Sequence, residues 1–194
     1  IGGDTNGDGS ATSPAPGDWR QIVLGDGTSA TFDHTMIRYG GYYYDGVYYP
    51  CISAPYNSTI TLRDSEVSYS RAQGISMNSS TTAYTANLTI ERSTFANNTQ
   101  VGIYMYKYGT GINNFSMVDS VIHQNNSIGV YIIGATSLRV TGCTFSQNYG
   151  YAMQLINSSI ALTQVYNNSA SGNRYNAIYL SGNTLSGSSV LNAN

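Results

Sequence analysis

The segment LTIERSTFANNTQVGIYM, from Leu88 to Met105, contains the pattern that decides the fold. A short alternating strand is followed by a small residue, a large apolar residue, an asparagine three positions later and a second alternating strand. The same order returns in SMVDSVIHQNNSIGVYI (Ser116 to Ile132) and in LRVTGCTFSQNYGYAMQL (Leu138 to Leu155). Such self-similarity predicts a repeat architecture in which each unit stacks on its neighbours.

Aligning the repeats gives four columns of apolar residues, with steps of 23 to 30 residues in the first of them. That column reads Ile37, Val67, Phe95, Ile122, Phe145, Ala170. The second reads Ile22, Val47, Ile75, Ile103, Val130, Met153, Ile178, and the third, two positions later, reads Leu24, Tyr49, Met77, Met105, Ile132, Leu155, Leu180. The fourth reads Phe32, Leu62, Ile90, Met117, Val140, Val165. Because strand residues two apart share a face, the second and third columns are expected to point inward together.

Small and amide residues mark the turns of the repeat. Asparagines that tolerate left-handed backbone and can hydrogen-bond one another up a column are expected at Asn98, Asn125, Asn148 and Asn173. Small residues open the second strand at Gly46, Gly74, Gly102, Gly129, Ala152 and Ala177. Another small column contains Thr35, Ser65, Ser93, Ser120 and Cys143. Cys143 is therefore expected to be a buried thiol, whereas Cys51 is assigned to a tyrosine-rich excursion between coils.

Two further stretches extend the pattern towards the start of the chain. GDWRQIVL (Gly17 to Leu24) and TFDHTMIRYGG (Thr31 to Gly41), followed by the asparagine-turn repeats, resemble the β-helix repeat regions of bacterial and archaeal cell-surface proteins in the pectate-lyase-like superfamily. Leucine-rich repeats have similar periods, but they require a Leu-rich consensus that these mixed columns lack. We therefore predict an all-β fold, a right-handed parallel β-helix or β-solenoid of about seven coils with almost no helix.

The composition argues against nucleic acid as a partner and against a membrane-spanning segment. Only 9% of residues are charged and the formal net charge is -2, so no basic stripe is available for nucleic acid. No apolar run approaches the length of a membrane span. Eight N-x-S/T sequons favour an extracellular or cell-surface location, at Asn57, Asn78, Asn87, Asn97, Asn114, Asn125, Asn157 and Asn167.

Enzymes that share this architecture need carboxylates for calcium binding or for acid and base chemistry. All ten acidic residues lie at or before Asp119, and Arg139 and Arg174 are the only fixed charges from Val121 onward. The early acids and the histidine among them have scattered offsets in the repeat, which indicates solvated strand faces: Asp33, His34, Asp64, Glu66, Glu91, Asp119. The chain is therefore predicted to have no catalytic residues and not to be an enzyme, with a polysaccharide lyase or hydrolase as the less favoured alternative.

The opening residues contain one candidate metal motif. In DTNGDGS (Asp4 to Ser10), Asp4, Asn6 and Asp8 alternate before Gly9, like the first half of an EF-hand-like calcium loop. The twelfth position is Ala15 instead of Glu, so Asp18 is the candidate replacement. We assign residues 1–18 to an opening loop that either binds a structural Ca²⁺ or forms a plain Gly-rich turn, and residues 19–194 to one β-helix domain.

Tyrosine is the main functional signal. An outward column is expected to read Val23, Tyr48, Ser76, Tyr104, Tyr131, Gln154, Tyr179, with Tyr42, Tyr43 and Tyr44 beside it. A strip of flat amphipathic rings on a rigid sheet can stack on sugars or pack against protein, although tyrosine also simply suits strands. The candidate binding strip is Tyr48, Tyr104, Tyr131, Tyr179, Tyr42, Tyr43 and Tyr44.

These features favour an extracellular structural β-helix: a filament, sheath or stalk subunit, or an adhesin repeat, coated with glycans or associating with itself. The chain begins at Ile1 and ends in TLSGSSVLNAN (Thr184 to Asn194) without a charged plug, so a processed start and either a longer array or end-to-end or lateral assembly are expected. The alternative is a carbohydrate-binding module that uses the tyrosine strip on surface glycans.

Overall fold

The computed structural model describes residues 12–54, 57–78, 84–107, 109–161 and 164–186. Over these ranges the chain winds through three parallel sheets in the same order in every coil, and it contains no α-helix. Sheet 1 consists of Ile22–Val23, Ile52–Ser53, Ile75–Asn78, Ile103–Tyr106, Val130–Ile133, Tyr151–Ile156 and Tyr175–Ser181. Sheet 2 consists of Ser29–Asp33, Thr59–Arg63, Thr85–Glu91, Ile112–Val118, Ser137–Thr141 and Val165–Tyr166. Sheet 3 consists of Met36–Arg38, Glu66–Ser68, Thr94–Ala96, Val121–His123, Thr144–Ser146 and Ser169–Ser171.

The predicted parallel β-solenoid is therefore confirmed, with one small correction. Sheets 2 and 3 contain six strands each, so the chain makes about six turns where the columns predicted about seven coils. Two short pairs lie outside the three sheets. Tyr42–Tyr44 and Val47–Tyr49 form an antiparallel hairpin, and Thr184–Ser186 pairs parallel with Ser159–Ala161.

The core columns on sheets 2 and 3 follow the predicted register throughout. Phe95 pairs with Val67 on one side and Ile122 on the other, and Ile122 pairs with Phe145. Those four side chains are at most 3% exposed, because each rung buries the apolar face of the rung beside it. The column from Phe32 to Val165 is likewise in register.

On sheet 1 the second coil was placed wrongly. Val47 and Tyr49 lie in the hairpin, and their predicted core positions are filled by Ile52 and Ala54, both buried. Gly46 likewise belongs to the hairpin turn instead of the column that opens sheet 1. The hairpin residues 42–49 alternate like a solenoid strand. The column alignment therefore assigned the core position to Val47, five residues before Ile52, which occupies it.

An asparagine ladder runs through the turn between sheets 3 and 1. The side-chain amide Nδ2 donates to the next Oδ1 from Asn98 to Asn125 (2.8 Å), from Asn125 to Asn148 (2.9 Å) and from Asn148 to Asn173 (2.8 Å). The predicted stacking is confirmed. The left-handed residue, however, precedes each ladder asparagine, with φ between 53° and 64° at Asn97, Gln124, Gln147 and Gly172.

Cys51 also lies elsewhere than predicted. Its side chain is fully buried, and burial raises the pKa of its thiol to about 12. A Cβ on Gly40 would stand 2.7 Å from the Cys51 sulfur and 2.5 Å from the Trp19 ring, so this contact requires glycine. Cys51 thus belongs to the core of the first turns, as Cys143 does further along, where the thiol pKa is raised to about 11.

Candidate binding surface

The outward face of sheet 1 displays tyrosines on neighbouring rungs. Tyr104 pairs directly with Tyr131, and their ring centroids are 5.4 Å apart. Tyr131 pairs with Gln154, and Gln154 pairs with Tyr179. Partial burial, with a further contribution from Tyr131, raises the pKa of the Tyr104 hydroxyl. This face therefore presents amphipathic rings on paired strands, and the Tyr104 hydroxyl stays uncharged at neutral pH.

The predicted strip is less continuous than expected. Ser53, not Tyr48, occupies the second rung of the outward column, followed by Ser76. Gln154 then separates Tyr131 from Tyr179. Tyr48 instead joins Tyr42, Tyr43 and Tyr44 in the hairpin, so the seven predicted residues form two groups on different parts of the surface.

The hairpin is an aromatic unit in its own right. The Tyr42 and Tyr49 rings stack with centroids 4.2 Å apart, and the Arg20 guanidinium lies 5.0 Å above the Tyr42 ring. Tyr43 and Tyr48 pair on the other face with a centroid distance of 4.7 Å. Cross-strand aromatic pairs of this kind stabilise a two-stranded hairpin that would otherwise be marginal.

A second aromatic cluster lies on the last turns, and of its members the sequence predicted only Tyr179 as a binding residue. The Arg174 guanidinium sits 5.6 Å from the Tyr149 ring centroid and 5.5 Å from that of Tyr175. Tyr151 stacks on Tyr175 at 4.6 Å and also contacts Tyr179 at 5.2 Å. We call these five residues the Arg174 cluster. The available signal was that Arg174 has no acidic residue after Val121 to pair with, and that it precedes a tyrosine.

Acidic side chains at the edge between sheets 2 and 3 pair with arginines of adjacent coils. Asp64 accepts two 2.8 Å hydrogen bonds from Arg92, and Glu66 accepts from Arg38 at 2.9 Å and 2.5 Å. Glu91 accepts from Arg63 at 3.3 Å. Each pair joins one rung to the next, so these groups hold the coils in register.

The same pairing keeps two of the carboxylates ionised. The hydrogen bond from Arg92 lowers the pKa of Asp64. Burial opposes ionisation of Glu66, but hydrogen bonds from Arg38 and Ser68 outweigh it and lower the pKa of Glu66. Neither group has the raised pKa that suits a general acid.

One cluster at this edge has metal-ligating atoms close together, which the scattered offsets did not suggest. Ligand atoms of Asp33, His34 and Asp64 lie within 4.8 Å of one another; Asp33 and His34 are exposed and Asp64 is half-buried by its arginine partner. The Asp33 carboxylate contacts the His34 ring at 2.9 Å, while Asp64 is already bound by Arg92.

The candidate calcium loop falls mostly outside the described residues, which exclude Asp4, Asn6 and Asp8. Asp18 is described, and its Oδ2 accepts a 2.8 Å hydrogen bond from the backbone N–H of Ala15. That contact closes a short turn in the opening loop. Calcium binding therefore stays a prediction.

The eight sequons differ in accessibility. Four of the asparagines are exposed, at Asn57, Asn78, Asn157 and Asn167, and three are half-buried, at Asn87, Asn97 and Asn114. Asn125 is 1% exposed, and its Nδ2 donates to the Phe95 carbonyl and to Asn148 within the ladder. The prediction that Asn125 accepts a glycan is therefore wrong for the folded chain, because its buried side chain leaves no space for a sugar.

One of three comparisons with known proteins identifies this architecture. A family model described as the right handed beta helix region matches residues 50–194. The searches of curated proteins and of solved structures returned no match. The described residues include no helix with the length and apolar character that a bilayer crossing requires.

Proposed function

This chain belongs to the right-handed β-helix family, and we propose that it serves as a structural module of a cell surface or of an extracellular assembly. In this role the chain is a subunit of a filament, sheath or stalk, or a repeat of an adhesin. The family includes proteins of many functions, so the proposal depends on how this chain uses its side chains.

One observation carries the proposal: the polar side chains named above connect coil to coil. The asparagine ladder crosses the turns, and the Arg38–Glu66, Arg63–Glu91 and Arg92–Asp64 pairs each span one rung. Serine hydroxyls form a third such ladder, with the backbone N–H of Ser65 donating to Ser93 and that of Ser93 donating to Ser120 at 3.1 Å each. This use of polar groups supports a rod whose main task is to keep its shape.

A test of location uses cells that express the full chain. Staining of intact cells with an antibody against the chain should label the protein, with a cytosolic protein as the negative control. Labelling only after lysis would contradict an extracellular role.

A carbohydrate-binding function is the second candidate, supported by the paired rings of Tyr104 and Tyr131 on sheet 1. Such rings stack on the apolar faces of sugars with little loss of side-chain entropy. A Tyr104→Ala, Tyr131→Ala double variant should lose capture by insoluble polysaccharides. Tyr166→Ala is the matched control, because Tyr166 is a 47% exposed tyrosine on sheet 2.

We also propose that the chain is not an enzyme. The lowered pKa values of Asp64 and Glu66 support this, since both carboxylates serve arginines instead of standing free as acids. Turnover of neutral and acidic polysaccharides, assayed by reducing ends and by absorbance of unsaturated products, should be absent. Activity that disappears in Asp64→Asn or Glu91→Gln would reverse the proposal.

A further inference from the structure

Two exposed aromatic groups lie on the same edge of the rod, at opposite ends. The Tyr42–Tyr44/Val47–Tyr49 hairpin connects sheet 3 to sheet 1 in the first turn. Tyr149 and Arg174 occupy the same sheet 3 to sheet 1 connection in the last two turns. Four steps of about 4.8 Å separate the first turn from the fifth, so the two groups are roughly 19 Å or more apart along the axis.

Both groups expose side chains of the kind that dominate protein interfaces. In the hairpin, Tyr44 is 67% exposed and Tyr43, Val47 and Tyr48 are between 45% and 49% exposed. In the Arg174 cluster, Tyr149 is 66% exposed. Tyrosine and arginine are enriched among interface hot spots, and exposed apolar patches of this kind mark interaction sites.

The tip of the hairpin and the centre of the Arg174 cluster carry opposite charges, while Arg20 lies against Tyr42 at the other end of the hairpin. Asp45 lies at the tip of the hairpin, whereas Arg174 is the charged centre of the other group. The asymmetry extends over the whole rod. Residues 1–120 contain all ten acids and six of the eight basic residues, while residues 121–194 contain only Arg139 and Arg174 as fixed charges.

We propose that two copies of the chain associate antiparallel along this edge, the hairpin of each copy contacting the Arg174 cluster of the other. This dimer rests on the proposed structural function, and it makes a second copy of the chain the partner in that assembly. A two-fold axis perpendicular to the rod turns one contact into two identical ones, which is the isologous arrangement of a closed dimer. It also sets the acidic half of each copy against the basic half of its partner, whereas a parallel arrangement would oppose like charges.

Sedimentation equilibrium of the full chain tests the charge contact. Asp45→Lys and Arg174→Glu should each weaken dimerisation roughly tenfold at low salt, and combining both reversals should restore it. Arg139→Glu is the matched control, because it makes the same change in overall charge on sheet 2, outside the proposed contact, and should weaken dimerisation much less than Arg174→Glu. Circular dichroism verifies that each variant keeps its sheet content.

Disulfide trapping tests the orientation separately. In an oxidised mixture of Tyr44→Cys and Tyr149→Cys chains, mixed disulfides between positions 44 and 149 should dominate. Cys51 and Cys143 are buried and stay silent in this assay. Disulfides joining position 44 to position 44 as readily as to position 149 would overturn the antiparallel arrangement.

Three results would overturn the proposal. The first is a monomer at all concentrations, and the second is dimerisation that neither charge reversal changes. The third is loss of polysaccharide capture in Arg174→Glu with unchanged sedimentation, which would assign the Arg174 cluster to a glycan. Each result leaves the surface-labelling experiment untouched, so failure of the dimer and failure of the structural role are distinguishable.

Discussion

Replacing one buried asparagine of the ladder tests how the coils are held together. The Asn148 side chain is 2% exposed. Its Nδ2 donates to the Ile122 carbonyl at 3.1 Å and to Asn173 Oδ1 at 2.8 Å. Its Oδ1 accepts from the backbone N–H of Asn125 at 3.1 Å and from Asn125 Nδ2 at 2.9 Å. Asn148→Ala removes all four hydrogen bonds at once.

The expected cost follows from which groups remain unpaired. Asn125 Nδ2 keeps its bond to the Phe95 carbonyl, and the Asn148 backbone N–H still donates to Asn173 Oδ1. The backbone N–H of Asn125 and the Ile122 carbonyl each lose a partner in a water-poor interior. A buried polar group left unsatisfied costs about 1 to 3 kcal/mol, so with two such groups the free energy of unfolding should fall by about 2 to 6 kcal/mol.

Urea titration followed by circular dichroism measures this change, and Asn126→Ala provides the control. Asn126 is exposed, and its backbone N–H donates to the Asn98 carbonyl, a bond that the substitution keeps. The control should therefore change stability by no more than about 0.5 kcal/mol. Native-state hydrogen exchange should also show faster exchange at the Asn125 amide in Asn148→Ala.

Equal destabilisation by Asn148→Ala and Asn126→Ala would refute the reasoning. So would unchanged exchange at the Asn125 amide, since that group depends on Asn148 Oδ1 for its hydrogen bond.

The remaining predictions concern backbone contact, thiols and glycosylation. Gly102→Ala should destabilise the fold by about 1 to 3 kcal/mol in urea titration, because its Cβ would stand 2.7 Å from the Gly129 carbonyl oxygen. Cys51 and Cys143 should react with a thiol reagent only after denaturation, and the free energy of unfolding should fall as pH rises above 9.0, since their folded pKa values of about 12 and about 11 exceed the ordinary value. Expression in a glycosylating host followed by peptide mapping should find sugar on exposed Asn157 and none on buried Asn125.

The sequence predicted sheets 2 and 3 well because each of their rungs repeats the same local pattern. Phe95, Ile122 and Phe145 share small neighbours before them and an asparagine three positions after them, so their alignment admits little ambiguity. Their pairing on adjacent rungs is what the columns required. The buried asparagine ladder followed from the same alignment.

The sheet 1 strand of the second coil was predicted wrongly because two neighbouring segments show the same alternation of side chains. Val47–Tyr49 and Ile52–Ser53 both suit sheet 1, and only three-dimensional pairing shows that Tyr42–Tyr44 captures the first of them. The misplacement of Tyr48 and the wrong environment of Cys51 follow from that single shift. Strand register cannot be deduced where an antiparallel hairpin imitates the repeat.

The Arg174 cluster was missed for a different reason. Its members lie one turn apart in sequence, and a bulge between Tyr151 and Met153 shifts the local register. The positions of the rings around Arg174 depend on that bulge, and the columns could not predict it because they assume the same register in every coil. The ion pairs between coils were also not predicted. The acidic residues occupy different positions in the repeat, but arginine side chains are long enough to reach them from the adjacent coil.

Distances between spin labels on the outer face of sheet 3 test the stacked coils most directly. Met36 and Thr144 are four rungs apart and Met36 and Ser169 are five, along one column of paired residues. Labels at cysteines introduced in these pairs should lie about 19 Å and about 24 Å apart by pulsed electron resonance, with the buried native thiols unlabelled. Distances that fail to lengthen by about one rung spacing from the first pair to the second would contradict the solenoid.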